Sequence, residues 1–386
     1  MKKTLAAGVF AFFCLSTALS AFSWSGLVNN ESKFIANNDF SKIELQQTNG
    51  VYLSFAAPLG DGGNMKLTGE GLVKGNFGVP IVPSEGEASS ALIADCDLFK
   101  FSGVWGAGSG VVALNAGRFR MSDVSGSVFS QVSDGLSVSY NALKFKAGLY
   151  AGYTGLLNNL TVFMTDDESL TNPEIERAKI YGFCPAYIPV MVDFSYKTLL
   201  ETNTIGIQGA FFMPVDTEKN DMKAYGTLYL SGPVSTVGTY NITGTVGLQK
   251  LENLMLDAKA DFNYFIGNFG MINIGAEYVS GESDSIHAFV PVTARTLYNG
   301  ALSSGLILPK VGFMIAKNSM YLALTEKVVI AMLPEETGMD GFDTSLSFVC
   351  NVLSDVQVGC DADAYICTKD STKSNYYLTI KASLAF

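Results

Sequence analysis

The chain carries one histidine, His287, so any mechanism that relies on an imidazole must be built there. Ser283, Asp284 and Ser285 lie beside it, but groups two to four residues apart on one loop do not form a relay of nucleophile, base and orienting acid. The sequence reads as a non-enzyme. Six cysteines offer metal or redox chemistry. Cys14 falls in an N-terminal apolar run, and Cys96, Cys184, Cys350, Cys360 and Cys367 are an odd set without C-x-x-C spacing, which gives neither a zinc site nor a disulfide framework. Cys350 and Cys360 fall on apolar faces, while a bridge among Cys96, Cys184 and Cys367, near one rim, stays open. No P-loop, dinucleotide fingerprint or clustered ligand set is present, and no cofactor or metal is expected.

Charged side chains are the functional groups that remain, and they recur at every second position opposite apolar ones. Asp257, Lys259, Asp261 and Asn263 alternate with Leu256, Ala258, Ala260, Phe262 and Tyr264. Asn273 and Glu277 alternate with Ile272, Ile274, Ala276 and Tyr278; Asp361 and Asp363 with Val358, Cys360, Ala362 and Ala364; Lys144 and Lys146 with Phe145, Ala147 and Leu149. A period of two suits strands with lipid on one face and water on the other. A one-residue slip would place these charges in hydrocarbon at ~2–4 kcal/mol for each Lys at mid-membrane and less for each acid, so the register is strongly specified. With Asp193 and Lys381 added, these charged residues are the candidate pore lining. Arg118 and Arg120 share a face ahead of a loop and are candidates for a positive arc at a constriction. Parity from Val112, Leu114 and Ala116 points them outward unless Gly117 is a bulge.

The elements that would position these groups are framed by the two ends of the chain. Lys2 and Lys3 precede an apolar run from Leu5 to Leu19, and Ala18, Ser20 and Ala21 offer a cleavage site, so residues 1–21 read as a removed signal peptide and 22–386 as one domain. At the other end Tyr376, Leu378, Ile380, Ala382 and Leu384 alternate up to a terminal Phe386. That ending resembles the sorting signal by which diderm bacteria recognise outer-membrane β-barrels, which implies the barrel-assembly machinery as a partner.

Composition agrees with a barrel. Apolar residues make up 48% of the chain, with 39 Gly, 17 Tyr and 26 Phe, yet outside the signal no stretch nears the roughly 18 apolar residues of a membrane helix. Net charge is −11, about −13 once Lys2 and Lys3 are lost; no basic patch is available for nucleic acid. Taking the alternating segments in order gives an all-β chain, a single closed antiparallel transmembrane barrel of about 18 strands (range roughly 16 to 20), with short periplasmic turns and long extracellular loops. Ile43 to Ala57 keep one parity through Asn49-Gly50 and read as one long strand. Pro80 to Asp95 reads as a loop, and all prolines are placed at strand ends, turns or loops. Trp24 and Trp105 carry the outward parity near the rim of Phe386, as an aromatic girdle would. Charged inner walls in so wide a barrel imply a watery lumen, open or plugged. The long acidic segments Gly155 to Tyr187 and Gly281 to Gly305 are either surface loops or an inward constriction.

The segments Ala116-Gly117-Arg118-Phe119, Ser122-Asp123-Val124-Ser125-Gly126, Ser133-Asp134-Gly135-Leu136 and Gly275-Ala276-Glu277-Tyr278-Val279-Ser280-Gly281-Glu282 resemble the large monomeric porins of diderm bacteria, including the alginate-export type. Four arginines are too few for the basic lining of a polyanion channel. The resemblance implies a porin in the bacterial outer membrane, monomeric and in contact with lipid, that passes small hydrophilic solutes. The alternative is a non-conducting barrel that acts as a surface adhesin or antigen through its loops.

Overall fold

The structure is a computed structural model. It describes residues 22–60, 62–83, 87–155, 163–165, 175–177, 187–199, 202–215, 221–333 and 337–386, so the proposed signal 1–21 lies outside it. The strands are β1 (Ser23–Asn37), β2 (Ile43–Leu59), β3 (Met65–Val82), β4 (Ser89–Ala107), β5 (Gly110–Ser122), β6 (Ser130–Ala142), β7 (Phe145–Tyr153), β8 (Phe163–Thr165), β9 (Ile175–Arg177), β10 (Tyr187–Leu199), β11 (Asn203–Pro214), β12 (Lys223–Ser235), β13 (Gly238–Gln249), β14 (Asn253–Ile266), β15 (Gly270–Val279), β16 (Leu306–Lys317), β17 (Met320–Ala331), β18 (Gly338–Asn351), β19 (Val356–Cys367) and β20 (Asn375–Ala385). β8 and β9 pair only with each other, in the segment between β7 and β10. The other strands form one 18-stranded antiparallel sheet.

The sheet closes on itself. β1 pairs with β20 from Leu27 opposite Ala385 to Asn37 opposite Asn375, and Gly26 and Phe386 exchange backbone hydrogen bonds of 2.8 and 2.9 Å. Closure leaves the 18-stranded sheet without a free edge strand. Short turns gather at the Phe386 end, where Trp24 meets the Phe386 ring edge-on, and the longer loops at the other.

Alternation decides what each face carries. On β11, Ile207 is 57% exposed on the outside while Phe212 is fully buried on the inside. The outer face is an apolar belt, including Val192, Leu228, Ile274, Val311, Leu378 and Ile380. Polar groups interrupt it in places: Arg118 pairs with Asp134, Glu326 accepts from Thr344, and Asn30, Ser32, Gln47 and Asn49 share the lipid-side parity of β1 and β2.

Three expectations need correction. Pro80 to Asp95 is not a loop, because β3 runs to Val82 and β4 starts at Ser89. Phe77, Val79 and Ile81 continue the outward parity, and the register shift between Ile43 and Glu44 lets Pro80 sit where the ladder already breaks. Pro309 lies inside β16, where neither it nor Leu308 pairs with β17, so its missing N–H costs no bond on that side. Pro173, Pro185 and Pro334 lie outside the described residues.

Arg118 and Arg120 do not line the lumen. Gly117 has φ +110°, but the register runs through it unshifted: Arg118 faces Phe99 on one side and Asp134 on the other. Phe99 is 53% exposed on the outer face, whereas Phe119 is buried against the Tyr150 ring inside. The irregularity sits on β4 instead, where Asp97 is the extra residue between Cys96 and Leu98.

Candidate functional site: the constricted lumen

Two loops from the long-loop end turn inward. The first, residues 123–129, is knotted by Asp123, whose carboxylate accepts from the backbone N–H of Val128 (3.1 Å), Phe129 (2.7 Å) and Ser125 (3.0 Å) and from the Ser125 hydroxyl. The Phe129 ring then packs on Phe212 of β11 at 5.3 Å. Val128 O accepts from Val292 N (2.9 Å) and Thr293 N (3.1 Å), which joins this loop to the second.

The second loop, residues 280–305, runs along the inner wall from β12 to β20. Its neck is tight, since a Cβ at Gly281 would lie 2.8 Å from the Gly305 Cα. Phe289 and Val290 pack on Tyr225 and Met255, in one buried cluster with Leu306, Leu308 and Val329. Arg295 donates to Asp257 and Glu277 on the wall and to Ser127 of the other loop at 3.1 Å. Further along, Lys327 donates to Leu297 O (2.8 Å) and Asp343 (3.2 Å), Asp343 accepts from Asn299 (2.9 Å), and Asn375 donates to Asn299 O (2.7 Å). Burial pushes the Tyr298 phenol up to about 12; it stays protonated at any physiological pH.

Among the described residues, these two loops leave one sector of wall uncovered, from β19 through β20 and β1 to β4. Inward positions there carry Lys33, Lys66, Lys74, Lys100 and Lys381 against Glu31, Glu44, Glu70, Asp95, Asp361 and Asp363. Lysine and carboxylate numbers nearly balance, so local order rather than net charge would discriminate among ions. Lys381 pairs with Asp361 and remains 46% exposed; Lys33 stands 4.4 Å over the Tyr377 ring. Cavities mark both ends of this sector. One, of about 480 Å³, touches Ile35, Lys42, Glu44 and Asn375; the other, of about 630 Å³, touches Leu27, Tyr52, Ser54 and Glu70.

The remaining candidates divide between covered and open wall. Asp257 and Glu277 lie beneath Arg295. Lys146 pairs with Asp193 at 3.7 Å and Lys310 with Asp261 at 2.6 Å, both on the lumen side, which Lys259 shares. Lys144 belongs to a turn rather than the wall. Of the barrel-ending residues, Leu378, Ile380 and Leu384 face outward with Tyr376 on the same parity, and Trp24 and Trp105 are 65% and 37% exposed on the outer face. Asp123, Lys327 and Asp343 were not foreseen as functional. No spacing marks Lys327 and Asp343, whose partners lie on other elements, while Asp123 bonds within its own loop, to Ser125, Val128 and Phe129.

His287 Nδ1 sits 2.7 Å from Glu282, and the Ser283 hydroxyl donates to Ile286 O at 2.9 Å; the Ser280 hydroxyl donates to the His287 backbone carbonyl at 2.7 Å, and among the described residues no serine hydroxyl bonds the imidazole ring. Cys96, Cys350, Cys360 and Cys367 are unbridged. Cys184 lies outside the described residues, as do Asp166, Asp167, Glu168 and Glu174. No group of ligands suited to a metal ion is present among the described residues.

The chain is thus a closed barrel of 18 antiparallel strands, apolar outside and narrowed by inward loops. Solved structures of this kind from Pseudomonas aeruginosa are similar to the whole chain. OccK1 (OpdK) superposes with a TM-score of 0.62 at 12% identity over 95% of this chain and 99% of its own. OccK5 (OpdH) gives 0.62 at 9% over 95% and 98%. OpdK in complex with vanillate gives 0.60 at 11% over 94% and 98%. No protein-family model and no curated protein matches the chain. At these identities the likeness concerns fold.

Proposed function

We propose that this chain is an outer-membrane porin giving passive diffusion of small hydrophilic solutes along the uncovered sector between β19 and β4. The carrying observation is the pairing of an apolar outer belt with inward lysines and carboxylates that the loops leave exposed. An apolar belt requires hydrocarbon, and an accessible charged wall requires water. The fold shared with channels such as vanillate-bound OpdK supports this reading; the alginate-export variant of the resemblance has no support beyond the quoted segments. In this reading the inward charges act as pore lining, Trp24 and Trp105 as interfacial anchors, and the Tyr376 to Phe386 ending as the signal read by the assembly machinery. No catalytic step is assigned.

Planar-bilayer recording of the refolded chain tests it directly. Discrete conductance steps are expected, and their absence over wide voltage and salt ranges would remove the open-pore reading and favour the adhesin. Lys33→Glu with Lys381→Glu leaves the sector acidic and should move the reversal potential toward cation selectivity. Unchanged selectivity would place the ion path elsewhere. Ile274→Arg puts a cation in the belt at ~2–4 kcal/mol if the position is near mid-membrane, while Asn273→Arg, one residue on, faces the lumen. Urea unfolding in lipid vesicles should therefore separate the two, and equal midpoints would contradict the assigned faces.

A further inference from the structure

The outer face of β1 and β2 breaks the rule that the rest of the belt keeps. Asn30 lies opposite Asn49 and Ser32 opposite Gln47, all on the parity of Trp24, Val28, Val51 and Leu53, which are exposed on the outside. Along both strands apolar residues bracket the group, with Val51, Leu53 and Phe55 on one side and Leu45 and Ile43 on the other. The island sits within the belt and not at a headgroup rim.

Two hydrogen bonds hold it together. Asn30 Nδ2 donates to Asn49 Oδ1 and Ser32 Oγ to Gln47 Oε1, each at 2.6 Å. Those bonds use part of the capacity of three amides. Among the described residues, the Asn30 carbonyl oxygen and the amide hydrogens of Asn49 and Gln47 have no partner. Hydrocarbon can supply none, and leaving such groups exposed to it is costly.

From this geometry we infer that the β1–β2 face is a lateral interface between two copies of this chain, related by a two-fold axis along the membrane normal. The island is uncharged and offers both donors and acceptors, so it is complementary to itself, as an isologous contact requires. Charge does not call for an anionic headgroup or an ion. The neighbouring outward positions on β20 and β3 include Ala382 and Gly75, opposite Asn30 and Asn49, and small residues let two membrane surfaces approach closely. The other polar interruptions differ: Arg118 already has Asp134, and Glu326 repeated across a two-fold would repel itself.

The resemblance to monomeric porins implies a single copy, so cross-linking in outer membranes decides between them. The inference rests on the outer face lying in lipid, and heat-modifiable gel migration of every variant checks that reading separately. With the five mature cysteines replaced by Ala, Asn49→Cys near the axis should form a self-disulfide dimer on mild oxidation. Val246→Cys, across the barrel on β13, should not. In the otherwise native chain, Asn30→Leu with Gln47→Leu and Asn49→Val should weaken self-association about tenfold, while heat-modifiable migration stays intact. A folded Asn49→Cys barrel that stays monomeric, that cross-links no more than Val246→Cys, or that is captured by a different protein would overturn the inference.

Discussion

Replacing residues 286–302 by a short Gly-Ser link is expected to raise single-channel conductance severalfold. The cut is sterically easy because Val279 and Leu306, which flank the loop, are opposite each other in the β15–β16 ladder, and a tight connection spans such ends. Its removal uncovers wall that is now sealed: Tyr225, Met255, Leu306, Leu308 and Val329 are each no more than 4% exposed. The channel would widen on the β12 to β18 side, where Asp257 and Glu277 would join the aqueous lining. Stability should fall as well, since those apolar side chains would meet water at roughly 25 cal/mol per Å² of uncovered surface. Conductance equal to that of the intact chain would show that the loop does not limit flow.

Arg295→Ala should loosen the same loop with one side chain. Its guanidinium forks to Asp257, whose side chain is wholly buried, and to Glu277, at 16% exposure. Removing the cation leaves two acids without their shared partner beside Ser127 and costs ~3–5 kcal/mol, the usual penalty for breaking a buried pair from one side. Much of that would be relieved by letting the loop leave the wall and water enter. The expected reading is a noisier, larger open-channel current and a loop newly sensitive to protease. Arg295→Lys restores the charge but not the fork, and should recover only part of the native behaviour. Because the pair is buried, added salt should barely change the contrast between variants. Native-like current and protease resistance in Arg295→Ala would mean that the apolar contacts of Phe289 and Val290 hold the loop unaided.

Much of the fold was legible in the residues because a barrel strand repeats one simple pattern. Asp257, Lys259 and Asp261 against Ala258, Ala260 and Phe262 can satisfy water and lipid at once in only one register. Ile43 to Ala57 keep their parity through Asn49-Gly50, which made a single long strand readable despite a dipeptide that commonly turns. The pattern misleads where a strand runs on past a breaker. Pro80 and Pro309 look like strand ends in sequence, yet each sits where the ladder is already interrupted, and a bulge or gap on the partner strand leaves no mark in the sequence. The face of Arg118 depended on whether Gly117 inserts a residue into the ladder, a question only pairing with Phe99 and Asp134 could answer.

Alternating polarity by itself fixed the all-β class, the approximate strand number and the face of most wall charges, since period two is a local property of the chain. The tertiary structure alone decided which of those charges meet the open lumen. Asp257 and Lys381 are alike in sequence, each a charge between apolar neighbours, but Arg295, 38 residues from Asp257 along the chain, folds back over one, while among the described residues no loop folds over the other. Contacts between a loop and a distant wall depend on the closed circumference, and no local spacing encodes that distance.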